Sequence, residues 1–182
     1  MNTLYLERST GDCRNGDWVE ELDLTDVGRI VVGTGPGSFA GIRAALAFAQ
    51  GYALGRGCEV LGLPSACALA ALVYADGLES VPLAVVGDAR RGMAWVALFR
   101  GSALERDVFQ VRQEELAAAV PAECRVTTPD AQRIDGLLRE TCGERYLGGR
   151  TPTAEGLRMF AEANPAMLTP EPLPIYLNPA VR

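Results

Sequence analysis

The chain has no lysine and no histidine, so its 17 basic residues are all arginine. Without histidine there is no imidazole for general acid/base work or for holding a metal. Without lysine there is no Walker-type phosphate lysine and no Schiff base. Five cysteines, Cys13, Cys58, Cys67, Cys124 and Cys142, are scattered and form no CxxC pair. That pattern gives neither a zinc site nor a disulfide framework, and it suits reduced, mostly buried thiols. Acidic residues outnumber basic ones, 23 to 17, for a formal charge of −6. A surface of that sign does not grip nucleic acid broadly; such a contact needs a partner or a local arginine cluster. No apolar run reaches the ~18 residues of a membrane-spanning helix. The opening MNTLYLERST lacks a charged-then-apolar export pattern, so the cytoplasm is the expected location. No metal and no cofactor are expected.

What is present is enough apolar material for a core. Nearly half of the 182 residues, 48%, are hydrophobic, which fits one domain or two small ones. The chain is organised around one stretch. Arg29 to Val32 reads as a buried strand. A glycine-rich turn follows, with Gly33, Gly35, Pro36 and Gly37, and a helix starts at about Ser38, a good N-cap. A strand feeding a helix through such a turn aims free N–H groups at one spot and can hold an anion. Gly35, Gly37 and Ser38 are therefore the candidate phosphate or nucleotide contacts. The competing account is a tight turn that serves only close packing of strand and helix.

The helix is apolar nearly all round. At about 100° per residue, Phe39, Ile42, Leu46, Ala49 and Ala53 form one face. Gly41, Ala44, Ala45, Phe48, Gly51 and Tyr52 lie opposite, and only Arg43, Gln50 and Arg56 are strongly polar. Such a helix is covered on both sides. The cover is either the chain itself or another protein.

These residues carry a resemblance. GPGSFAGIR is similar to the GPGSFTG-hydrophobic-Arg signature of the TsaB (YeaZ) family, with Ala40 in place of the usual Thr. Members of that family are non-catalytic partners of TsaD in making threonylcarbamoyladenosine on tRNA. The resemblance implies an α/β chain with the two-lobed, actin-like ATPase (ribonuclease H-like) fold. It also implies that Phe39, Gly41, Ala44, Ala45, Phe48, Gly51 and Tyr52 face a partner. The partner is a TsaD-type protein in a heterodimer or, since family members self-associate, a second copy. A TsaE-type ATPase acts through the complex, and a TsaC-type enzyme supplies the carbamoyl-adenylate. tRNA is met only through the complex.

The rest of the chain extends the resemblance over roughly Arg29 to Arg182. Thr3 to Leu6 is a short strand, and Asp17 to Leu24 reads as a second, returning strand. Family members open with a strand ending Asp-Thr-Ser, a hairpin and a helix. Here LERS stands at the strand end, with Glu7 where Asp is usual, and the first helix is missing, so the first lobe is expected to be truncated. Gly57 caps the central helix; Glu59 to Leu63 is a strand, and Pro64-Ser65 opens the helix SACALAALVYADG. Pro82 to Val86 and Met93 to Phe99 form a hairpin around Asp88 to Gly92, resembling the family's D-A-R-x-G element. Asp88, Arg90 and Arg91 there either bind a ligand or cap the turn and pair at the surface. Beyond it, VRQEELAAAVP reads as a short helix, Arg125 to Thr128 as a strand and Ala131 to Thr141 as a helix. Gly143 to Thr153 reads as a loop, and Thr153 caps a helix that Pro165 stops. The tail EPLPIYLNPAVR is similar to the family's closing E-P-x-Y-L-R, with Asn178 for Arg, and predicts an extended strand at Ile175 to Leu177. The lobes divide at 1–80 and 81–182, with the tail packing back towards the first.

Enzymatic readings find little support. Ser38 is not in a G-x-S-x-G elbow, and no histidine exists to activate it. TsaD-like proteins, which gave the family its glycoprotease label, carry a His-x-x-x-His metal pair that is impossible here. No catalytic residue is assigned. Two alternatives stay open: a divergent actin-like phosphotransferase binding nucleotide at the Gly35 turn, and a degenerate homodimer with no role in tRNA modification.

Overall fold

The computed structural model describes residues 1–10, 17–78 and 80–177. In chain order its elements are β1 (Asn2–Leu6), β2 (Val27–Gly33), α1 (Phe39–Arg56), β3 (Glu59–Leu63), α2 (Ser65–Val73), β4 (Leu83–Arg90), β5 (Met93–Arg100) and β6 (Ala103–Arg112). There follow α3 (Leu116–Ala119), β7 (Arg125–Thr128), α4 (Ala131–Cys142), β8 (Tyr146–Gly149), α5 (Ala154–Ala163) and β9 (Thr169–Pro170). Contacts divide the chain into two compact units. The first is Met1–Ala68 with Pro152–Ile175; the second is Leu69–Thr151 with the described residues after Ile175. The sequence placed one boundary at 80; instead the chain returns to the first unit with α5.

The first unit holds the sheet β1-β2-β3-β9. β1, β2 and β3 are parallel, and β9 runs antiparallel against β3. Ile30, Val31 and Val32 are buried in succession, the continuous apolar run of a strand covered on both faces. α1 lays Ile42, Ala45, Leu46 and Ala49 on Leu6, Ile30 and Val32. α5 packs beside β1 and buries Leu157 and Phe160.

The second unit holds the sheet β6-β5-β4-β7-β8. β4, β5 and β6 form an antiparallel meander, and β7 and β8 add parallel strands. One face packs Ala84, Val86, Val96 and Val126 against Leu116, Ile134 and Leu138. Gly87 lies under the Trp95 indole; a Cβ there would come within 2.2 Å of the ring. The antiparallel meander of this sheet has no counterpart among the described residues of the first, where β1 pairs directly with β2.

Four expectations change. Asp17 to Leu24 is not a strand: Asp17–Val19 is a 3-10 turn, and Trp18 and Leu22 tuck against the α1 core. β6 occupies a region with no strand expected. It is a sheet edge with no buried residue and with charges along it, a pattern that hides the apolar alternation. β8, with the sequence YLGG, reads as loop because of its glycines; pairing with β7 makes it a strand. Ile175 to Leu177 is not a strand. The tail joins the sheet earlier, at Thr169–Pro170, and the Ile175 amide donates to the Thr34 carbonyl at 2.9 Å. Cys13 and Asn178 lie outside the described residues.

Candidate functional site

The glycine turn is fastened to its own unit. The Thr34 amide donates to the Leu63 carbonyl at 2.9 Å, and the Gly35 amide to Ser65 Oγ at 3.0 Å. The Ser65 amide returns a bond to the Gly35 carbonyl, and the Ser38 amide donates to the Ser9 carbonyl. Ser38 Oγ accepts from the Gly41 amide at 3.3 Å, the N-cap bond expected of it. Gly35 has φ of 90°, open to glycine at no steric cost. A Cβ on Gly37 would run into the Ser9 carbonyl at 2.3 Å. Gly35, Gly37 and Ser38 are thus brought together in one turn, and the Gly35 and Ser38 amides are spent on protein oxygens.

Glu7 fills the space above this turn. A Cβ on Gly33 would lie 1.9 Å from Glu7 Oε2. Oε1 accepts from the Ser9 amide at 2.8 Å, while Oε2 is buried with no hydrogen-bond partner. Burial pushes the carboxyl above the usual carboxylate range; the Ser9 hydrogen bond, the nearby Ser65 hydroxyl and the charge of Arg8 oppose this.

α1 has three kinds of surface. Gly41, Ile42, Ala45, Leu46 and Ala49 are buried under it. Phe48 and Tyr52 are half-buried on one flank. Trp18 meets Phe48 edge-on with centroids 5.5 Å apart, Phe48 stacks on Tyr52 at 6.0 Å, and the Tyr52 hydroxyl donates to the Leu24 carbonyl. The remaining face is open in this chain. Phe39 is 58% exposed with the Arg43 guanidinium 4.9 Å over its ring, and Leu54 is 90% exposed. Ala40, Ala47 and Gly51 are exposed with them. At its end, Ala53, Leu54, Cys58 and Val60 border a cleft of about 710 Å³ with Pro172 and Leu173. The seven candidate partner residues therefore do not share one face. Phe39 and Gly51 are outward, Ala44 is partly covered, Phe48 and Tyr52 are flanking, and Gly41 and Ala45 are inside. Sequence reasoning missed Leu54, which stands one heptad beyond Ala47 on the open face. That spacing was the available signal.

In the second unit, Asp88 and Arg90 stand at the β4–β5 turn. The Asp88 carboxylate accepts from the Arg90 amide at 2.9 Å and pairs with the Arg90 guanidinium at 3.4 Å and that of Arg133 at 4.0 Å. The Asp88 amide donates to Asp130 Oδ2 at 2.9 Å, and Arg133 also faces Asp130 at 3.7 Å. Burial raises the Asp130 carboxyl, with the neighbouring Asp88 charge adding to it. The hairpin therefore does cap its turn and pair its charges. Arg90, Arg91 and Gly92 have φ of 68°, 53° and 74°. The two arginines cost about 1–2 kcal/mol each in that region. A tight hairpin favours positive φ at its loop positions, normally with Asn or Gly.

Comparison with known proteins bears on both units. A family model described as TsaD, tRNA N6-adenosine threonylcarbamoyltransferase, matches residues 19–124. The tRNA threonylcarbamoyladenosine biosynthesis protein TsaB of Escherichia coli (strain K12) is 34% identical over 77 residues, 42% of this chain and 33% of that protein. The match thus spans a third of that relative's length. YeaZ from Pseudomonas aeruginosa superposes with a TM-score of 0.75 at 22% identity, over 96% of this chain and 99% of the other. A second structure, an uncharacterized protein with similarity to peptidase YEAZ from Pseudomonas aeruginosa, gives 0.67 at 23%, over 90% and 80%. At those identities the superpositions establish the fold, the two-sheet α/β arrangement of actin-like ATPases.

Proposed function

The chain belongs to the TsaB (YeaZ) family within the glycoprotease-like, TsaD-related superfamily, and we propose that it is the non-catalytic partner of a TsaD-type protein in threonylcarbamoyladenosine modification of tRNA. The observation that carries this reading is the open face of α1. An 18-residue helix, directly after the family's signature, presents Phe39 at 58% and Leu54 at 90% exposure on one face. A stable interface buries on the order of 1,200–2,000 Å², and exposed apolar residues on a rigid helix suit its centre.

The role is scaffolding. The full sequence has neither histidine nor lysine, which leaves no metal-pair histidines of the TsaD kind and no imidazole or amine base for a serine nucleophile. The glycine turn supports the same view, because its Gly35 and Ser38 amides hold the unit together. In the complex a TsaE-type ATPase and a carbamoyl-adenylate synthase serve the TsaD-type subunit, in the cytoplasm.

The test is a reconstituted reaction with TsaD, TsaE and the synthase, with and without this chain, reading threonylcarbamoyladenosine next to the anticodon. Formation that depends on the chain is expected. Full activity without it, or none with it despite a folded protein, refutes the role.

A further inference from the structure

We propose that the β4–β5 turn, with Arg90, Arg91 and Arg133, is a contact surface for the phosphates of the tRNA; this rests on the tRNA-modification reading above. Three observations converge there.

The first is how charge is presented. Most other arginines pair with carboxylates about as exposed as themselves: Arg29 and Glu59 are 50% and 51% exposed, and Arg100 and Glu105 are 56% and 49%, with Arg139 at 68% against 36% for Asp135 the exception. At the turn the match is broken. Arg90 and Arg133 are 57% and 49% exposed, while the Asp88 they share is 9% exposed and Asp130 is 22%. The carboxylates sit beneath and orient the guanidinium groups, so the outer layer is positive. This occurs on a chain whose net charge is −6. Arg112, which pairs with Met93 beside the same turn, lacks this arrangement, since exposed Glu114 and Glu115 hold its side chain.

The second is the backbone. Arg90 and Arg91 occupy left-handed positions where Asn or Gly sits without strain. Residues held in such a conformation cluster at functional sites. Arg91 is exposed and has no ion pair among the described residues. The third is chemistry. A guanidinium fork donates two parallel hydrogen bonds to a phosphate. Three of them spread over a turn and a helix start suit successive phosphates of an RNA backbone, read without sequence preference.

The experiment measures binding of an unmodified tRNA transcript across a salt series, by the full chain alone and together with its TsaD-type partner. The R90N/R91N variant keeps residues that tolerate the left-handed turn, and its melting curve checks folding. R133Q is a second, independent variant, and R100Q, on the same unit but paired with the equally exposed Glu105 and Glu123, is the control. The expected result is about tenfold weaker binding for R90N/R91N, with the salt slope reduced by about 2. R133Q reduces the slope by about 1, and R100Q changes nothing. Wild-type affinity and slope in R90N/R91N overturn the proposal. So does an equal loss in R100Q, or no tRNA binding by wild type in either setting. A titration of the chain with its TsaD-type partner in the absence of RNA is run alongside. Failure there refutes the scaffold reading separately, whereas intact pairing with unaltered RNA binding refutes only the contact surface.

Discussion

At the scale of the residue, Glu7 is the most unusual group in the first unit. Its Oε2 is buried without a partner, and an unsatisfied buried carboxylate oxygen costs on the order of 1–3 kcal/mol. Its carboxyl is raised above the unfolded value, so the folded chain binds the proton more tightly. The stability it contributes is fully present below the unfolded pKa, near 4.5, and is lost as pH rises through the folded one. Glu7→Gln keeps the Oε1 acceptor and removes the charge. Thermal melts at pH 5 and pH 8 are expected to show wild type losing more Tm on going to pH 8 than the variant; equal losses would contradict the assignment. Gly35 gives a second expectation. A Cβ there meets Ile42 Cδ1 at 2.5 Å, at a φ of 90°. Gly35→Ala is expected to destabilise by about 1–3 kcal/mol, read from the urea midpoint.

At the scale of the element, α1 separates stability from association. Its N-cap bond belongs to stability, and Ser38→Ala is expected to cost ~1 kcal/mol in urea unfolding. Its open face belongs to association. Leu54→Asp and Phe39→Asp change exposed positions and are expected to stay within about 0.5 kcal/mol of wild type in stability. In a titration with the TsaD-type partner the same variants are expected to weaken pairing at least about tenfold, the scale of a central apolar contact. Unchanged affinity would move the interface off this face. Phe48 and Tyr52 are poorer probes, because each also holds the segment around Trp18.

At the scale of the whole molecule, the first unit depends on a segment far along the chain. α5 returns to pack beside β1, and its Phe160 is 2% exposed. Phe160→Ala is expected to cost about 3–5 kcal/mol, seen as an early transition in chemical denaturation. The association reading belongs to this scale too. Light scattering of the chain mixed with its TsaD-type partner is expected to give a one-to-one complex. A homodimer that survives the mixing would favour the alternative in which the helix meets its own copy.

The local signals were strong wherever one element follows the next. The run from Arg29 through Gly57 carries an apolar strand, a turn that needs glycine, an N-cap serine and a C-cap glycine, and the structure follows it in that order. β3, β7 and the Thr153-capped helix were legible for the same reason: their periodicity and caps are set within a few residues. The absent histidines and lysines likewise excluded whole classes of chemistry before any fold was known. What depends on distant neighbours was not legible. β6 and β8 are strands because β5 and β7 supply their hydrogen bonds, and an edge strand has little apolar pattern of its own. Which side of α1 stays open depended on Trp18 and Leu22 folding over one flank, and a helix apolar all round gives no hint of that. The spent amides of the glycine turn, and the half-buried Asp88 and Asp130 beneath Arg133, arise from residues 29 to 45 positions apart in the chain meeting at strand ends. Sequence determines local conformation through sterics and periodicity; only tertiary packing decides which polar groups are satisfied and which surfaces remain for a partner.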